Sequence, residues 1–102
     1  MQLRAANVGM RTTPVGTVDA ALEHALSLLA GRPDVALEQA TEILNVIPAH
    51  PVARLVVGSA QRLLGNTAAA VAMLEELARS QPGAAPVRYE LGLALAAAGR
   101  GD

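Results

Sequence analysis

Residues 48–65 read PAHPVARLVVGSAQRLLG, and residues 82–99 read PGAAPVRYELGLALAAAG. Laid one over the other, Pro48 meets Pro82, Arg54 meets Arg88, Gly58 meets Gly92 and Gly65 meets Gly99, each pair 34 residues apart. The same interval links Gly31 to Gly65 and Ala36 to Ala70. Landmarks of several residue types that agree on one spacing mark an internal repeat, which has to be recognised before single elements are read. The repeat divides the chain into units 17–50, 51–84 and a partial unit 85–102. Residues 1–16 stand ahead of the first unit and are expected to be a flexible N-terminal segment.

Within each unit a helical pattern alternates with a breaker. Val18, Ala21, Leu22, Ala25, Leu26 and Leu29 follow the spacing of an amphipathic helix stripe. Gly31-Arg32-Pro33 ends that helix, and Asp34 is placed to cap a second one carrying Val35, Ala36, Ala40, Ile43, Leu44 and Ile47 up to Pro48. The second unit predicts a helix over about 52–64, a turn at Gly65-Asn66 and a helix over about 67–80 that stops before Pro82-Gly83. Pro86 suits an early position in a third leading helix, which runs to Gly99. The expected architecture is all-α: two antiparallel helical hairpins and a final single helix, a fragment of a right-handed α-solenoid.

Composition supports helices and narrows the chemistry. Alanine occurs 22 times and leucine 15, against one tyrosine and neither phenylalanine nor tryptophan. Alanine and leucine lead the helix scale, whereas sheets draw on aromatic and β-branched residues. Eight arginines, no lysine and nine acids leave a net charge of -1, without the basic footprint of a nucleic-acid binder. With no cysteine there is neither a disulfide nor a thiolate metal site. No run of eighteen apolar residues exists, so no membrane span is expected. The acid-free start carries Arg4 and Arg11 but no apolar stretch of a secretory signal, and the cytoplasm is the expected compartment.

A helix–turn–helix period of 34, with Gly58 and Gly92 in the leading helices, Ala36 and Ala70 early in the second helices and Pro48 and Pro82 at the ends, resembles the tetratricopeptide repeat over residues 17–102. Small residues let paired backbones approach, while Val57, Leu74 and Leu77 fill the space between hairpins. Two departures stand out. Arg54 and Arg88 replace the bulky aromatic usual near the start of the leading helix. Glu23-His24 stands where Val57-Gly58 and Leu91-Gly92 stand later, which implies a one-residue shift with Leu22 and Leu26 as core residues, or an irregular end cap. The strings QATEILNVIPAHPVARLVVGSAQRLLGN and ELGLALAAAGR also look like the repeat region ahead of bacterial sulfotransferase domains. That resemblance implies a recognition arm whose catalytic machinery lies elsewhere.

Candidate chemistry is sparse. A P-loop requires a lysine that this chain lacks. His24 has Asp19, Glu23 and Ser27 within reach along the helix, but a solvated histidine beside the apolar stripe explains it as well. His50, between Pro48 and Pro51, belongs to the inter-repeat turn. Glu38 and Glu42 lie one helical turn apart without a further ligand, and read as a solvated face. Glu75 and Glu76 with Arg79 suggest an ion pair along one helix. Arg100-Gly101-Asp102 spells an adhesion tripeptide at a place where the repeat expects a turn. No catalytic residue, metal or cofactor is assigned. Charge is uneven: residues 17–50 hold five acids against Arg32, and residues 51–84 three arginines against two glutamates. Such polarity suits the orientation of a partner or a second copy, and an accidental imbalance in so small a set explains it equally well.

The resemblance implies that the leading helices line a concave face that grips a peptide or protein segment. The matching positions are Val18, Ala21, Ala25 and Leu28, then Val52, Leu55, Ser59 and Arg62, then Tyr89, Leu93 and Ala96. Val52, Leu55, Ser59, Arg62, Tyr89 and Leu93 are the expected partner-binding set, with Arg62 and Tyr89 as polar anchors. The family's two-carboxylate clamp is not matched, because its places hold Ala21, Ala25, Val56, Pro86 and Glu90. In the partial unit Leu91 and Leu95 have no second helix to cover them, and each wet Leu-sized side chain forfeits about 1.5–3 kcal/mol. The expectation is that downstream residues, the N-terminal segment or a second copy covers them, the last giving a dimer through Leu91 and Leu95.

Overall fold

The computed structural model describes the backbone of residues 15–99 and the side chains of residues 17–99. It contains five helices: α1 (Val15–Leu28), α2 (Pro33–Val46), α3 (Pro51–Leu63), α4 (Thr67–Ser80) and α5 (Ala85–Ala97). No strand occurs among the described residues. Three- and four-residue turns fold each helix back on the last, which makes neighbours antiparallel. The result is an all-α helical-hairpin array of 59 × 27 × 18 Å. Residues 1–14 and the Arg100-Gly101-Asp102 tripeptide lie outside the described residues, whereas Val15 and Gly16 already belong to α1.

The breakers act through identifiable backbone chemistry. Proline opens α2 and α3 and sits in the first turn of α5, where its missing N–H costs no helical bond. At the end of α3, Gly65 takes a positive φ of 85° and the chain closes a Schellman turn: the Asn66 N–H donates to the Gln61 carbonyl (2.8 Å) and the Gly65 N–H to that of Arg62 (3.1 Å). Gly99 repeats the positive φ, at 77°, after α5. His50 caps α3, its Nδ1 accepting from the Ala53 N–H at 3.4 Å, which gives the inter-repeat histidine a structural task. Asp34 is not a cap as expected. Arg32 takes that place, because Pro33 starts the helix two residues earlier, and Asp34 lies in the first turn, bonded to the Arg32 guanidinium.

Each helix packs on its neighbours in sequence; α1 also touches α3, and α3 touches α5, while α2 and α4 stand apart. The odd helices therefore form an inner row and the even ones an outer row. The core runs along the seam between them: Ala25, Ala36, Ala40, Val56 and Val57 in one cluster, Leu22, Ile43 and Ala53 in a second, and Ala70, Val71, Leu74 and Ala94 in a third. Leu22 is a core residue as expected, but Leu26 is 45% exposed and the fully buried Ala25 holds the inner place instead. Gly58 shows why small residues recur on the inner helices. A Cβ built on it falls 2.6 Å from Cγ of Leu74, so only glycine lets α4 press its leucine onto the α3 backbone.

Candidate interaction surface

Pro51, Val52 and Leu55 of α3 face Pro86 and Val87 of α5 across a shallow groove of about 220 Å³, closed below by Gln81 and Ala84 of the α4–α5 turn. The prolines that start both helices hold these first turns rigid, and the period places Val52 and Pro86 at the same register, 34 residues apart. Val52 is 37% exposed at the lip, and Leu55 is half-buried against the α4–α5 cluster. Tyr89 stands out one turn along α5 at 66% exposure, and Leu93, a further turn on, is half-buried.

Two members of the expected set have other tasks. Ser59 is 4% exposed and lies in the interior, because α3 buries two faces, one against α2 and one against α4. The Arg62 guanidinium is held by Glu90: Nε donates to Oε1 at 3.1 Å and Nη2 lies 3.1 Å from the same oxygen, with both side chains about one-fifth exposed. This pair braces α3 to α5 and leaves Tyr89 as the polar group standing free of the core at this edge. Leu91 and Leu95 are not bare. Both are half-buried against Ala70, Val71 and Leu74, since the expected exposure overlooked how far α4 wraps onto α5. What lies open instead is the surface beside Gly92, where a Cβ would meet nothing within 4 Å.

On the first hairpin, Ala25 is buried, Val18, Ala21 and Leu28 are half-buried, and Ala96 on α5 is exposed. A larger groove, about 350 Å³, lies here between α1 and α2, with Val18 and Ala21 facing Ile43, Val46 and Ile47. Sequence reading missed it, although Val46 and Ile47 directly before Pro48 were a visible signal: large apolar residues at a helix end whose counterparts in the second unit are the polar Ser80 and Gln81. The structure leaves Val46 70% exposed.

The suggested catalytic pairings do not assemble. The Ser27 hydroxyl donates to the backbone carbonyl of His24 at 2.7 Å, and the imidazole is exposed. Glu38 and Glu42 are exposed on α2, and no group of three or more acids and histidines suited to a metal ion occurs among the described residues. Glu76 lies 3.2 Å from Arg54 of α3, an ion pair that crosses the α3–α4 hairpin. Among the described residues no helix is long and apolar enough to cross a membrane. The class defined by fold and surface is thus an all-α hairpin array with an apolar groove along its inner row. No protein-family model, curated protein or solved structure matches the chain.

Proposed function

We propose that this chain is a non-catalytic, cytoplasmic interaction module of the tetratricopeptide type, gripping an apolar peptide or protein segment along α3 and α5. The observation that carries the reading is the proline-framed groove between Val52 and Val87, with Tyr89 exposed beyond it. Its lining is apolar apart from Gln81, which suits a partner recognised by aliphatic side chains. Tyrosine adds a large contact area at low entropic cost beside such a groove. The Arg62–Glu90 pair keeps the two inner helices at fixed spacing, so the groove is preformed and little ordering is required on binding.

Selection of peptides from a displayed random library against the immobilised full chain, followed by amide-shift mapping, tests this. The expected binders are apolar, and their shifts centre on Val52, Leu55 and Tyr89. Val52→Asp, at an exposed site, abolishes them without unfolding the chain. Binders that map elsewhere, or that are indifferent to Val52→Asp, overturn the reading. A second reading, self-association through α5, is favoured by one observation, the open space beside Gly92 where its counterpart Gly58 holds Leu74. A mass by light scattering that stays monomeric up to high micromolar concentration excludes it.

A further inference from the structure

The second hairpin shows how a glutamate on an outer helix is satisfied, and the first hairpin lacks the means. Helices α2 and α4 correspond residue for residue at an interval of 34, from Pro33 and Thr67 to Val46 and Ser80. In that register Glu42 matches Glu76. Glu76 lies 3.2 Å from the guanidinium of Arg54 on α3, whose side chain is only 14% exposed. The arginine stem is thus packed along the hairpin while its charge meets the carboxylate. Helix α1 holds neither arginine nor lysine, and Glu42 has no ion-pair partner among the described residues.

The groove beside Glu42 is open and apolar. Val18 and Ala21 of α1 face Ile43, Val46 and Ile47 of α2 across about 350 Å³, and Val46 is 70% exposed. Among the lining residues Glu42 is the one acid, and no arginine accompanies it. Three residues before it, Oε1 of Gln39 is enclosed without a hydrogen-bond partner. The soft terminal torsion of glutamine lets the amide turn that oxygen to a donor in the groove. Residues three apart are neighbours on a helix surface, so the two acceptors stand together on one wall. The rest of the hairpin has the same sign: residues 17–50 hold five acids against Arg32, which is itself bonded to Asp34.

We propose that the α1–α2 groove takes an arginine flanked by aliphatic residues on a segment of another protein, with the guanidinium between Glu42 and Gln39 and the aliphatic neighbours on Val18, Val46 and Ile47. A guanidinium presents five donors in a planar fork and serves both acceptors at once, as the compact ammonium of lysine does not. Glu38, a further turn along α2, is exposed beyond the groove, so the acidic wall outruns the apolar floor and suits a chain lying along it rather than a small amine. The site is on the first hairpin and does not rest on the peptide groove between α3 and α5.

The probe is a capped six-residue peptide of leucine and isoleucine around one central arginine, titrated into the full chain while methyl signals are recorded. A second peptide carries citrulline in place of the arginine. The expected result is saturable shifts at Val18, Ile43, Val46 and Ile47, with the citrulline peptide bound about two- to fivefold more weakly there. Glu42→Gln, at an exposed site, gives the same loss for the arginine peptide and leaves the citrulline peptide unchanged. Signals at Val52 and Val87 report the α3–α5 groove separately and are unmoved by Glu42→Gln, so the two readings fail independently. Absence of shifts at Val46 and Ile47 overturns the proposal, as does equal binding of the two peptides there or indifference to Glu42→Gln. It is also overturned if the groove signals of the peptide-free chain move on dilution, which assigns the groove to a second copy. Movement of those signals with Arg4→Gln and Arg11→Gln overturns it in favour of the chain's own N-terminal residues.

Discussion

Helices α3 and α5 are counterparts one repeat apart, each thirteen residues long and started around a proline, yet they are buried very differently. α3 hides Ala53, Val56, Val57, Gly58, Ser59 and Ala60, whereas α5 hides only Val87 and Ala94. Among the described residues α3 packs against α1, α2, α4 and α5, whereas α5 meets α4 and, more lightly, α3. Gly58 and Gly92 condense the contrast into one atom, because an added Cβ is overlapped by Leu74 at the first and meets nothing within 4 Å at the second. Burial in a repeat array is thus a property of neighbours and not of the local string. Nearest-neighbour interfaces carry the stability of such arrays.

The sharpest way to break the comparison is to remove the side chain that makes it. Leu74 is fully buried, shared between the α3 backbone at Gly58 and the α5 cluster. Leu74→Ala is expected to cost about 2–5 kcal/mol, toward the upper end because backbone on both sides limits collapse. Urea unfolding followed by circular dichroism reads this as a lower midpoint. A loss below about 1 kcal/mol would mean that the two hairpins do not unfold as one unit.

Next in size is a pair of glycine substitutions with opposite signs. Gly58→Ala forces a methyl into Leu74 and is expected to destabilise by about 1–3 kcal/mol. Gly92→Ala lies in an open helical stretch and should stabilise by about 0.5–1 kcal/mol through helix propensity alone. Thermal melts at low and high protein concentration check both. Should Gly92→Ala destabilise only at high concentration, a second chain sits on α5, and the contrast between the helices is one of assembly.

A smaller effect is expected at the brace between the same two helices. Arg62 and Glu90 are about one-fifth exposed, so solvent screens the pair and its coupling should be at most about 1 kcal/mol. A double-mutant cycle with Arg62→Gln and Glu90→Gln isolates that coupling, which should shrink as salt rises. A coupling that does not change with salt would show the pair to be held by packing of the arginine stem.

How much of this was legible beforehand follows from the distance over which each feature acts. The ends of α3, α4 and α5 could be read to within about a residue, because proline at a helix start and glycine in a positive-φ turn act locally. The expected α2 cap at Asp34 was off by two residues for an equally local reason, since Pro33 also opens a helix. The Arg62–Glu90 pair, 28 residues apart in sequence, depends on how two helices cross, and no stripe encodes that. Ser59 was expected on the concave face because its position matches that face in the resembled repeat family; its burial reflects the second neighbour of α3. The α1–α2 groove had a signal in Val46-Ile47, but its meaning depends on which elements flank the first hairpin.

The smallest effect separates the local from the non-local within one helix start. Arg32 and Asp34 are two residues apart, and their bidentate contact is exposed to solvent. The hydrogen bond from Arg32 still holds the Asp34 carboxyl below the usual aspartate range. A depressed native pKa means that the unfolded chain takes up the proton first as pH falls. The contribution is therefore complete above the ordinary aspartate value and lost as pH drops through the lower, native one. Arg32→Gln should return the Asp34 titration to the ordinary range, as followed by its side-chain carboxyl carbon signal, while leaving the neutral-pH melting temperature almost unmoved. Its counterpart Asn66 starts α4 without a carboxylate near it, since the second unit holds Ala68 where the first holds Asp34. If the Arg32→Gln chain instead melts markedly earlier at neutral pH, the turn before α2 orders the first hairpin, and the two units differ at their starts as well as in their neighbours.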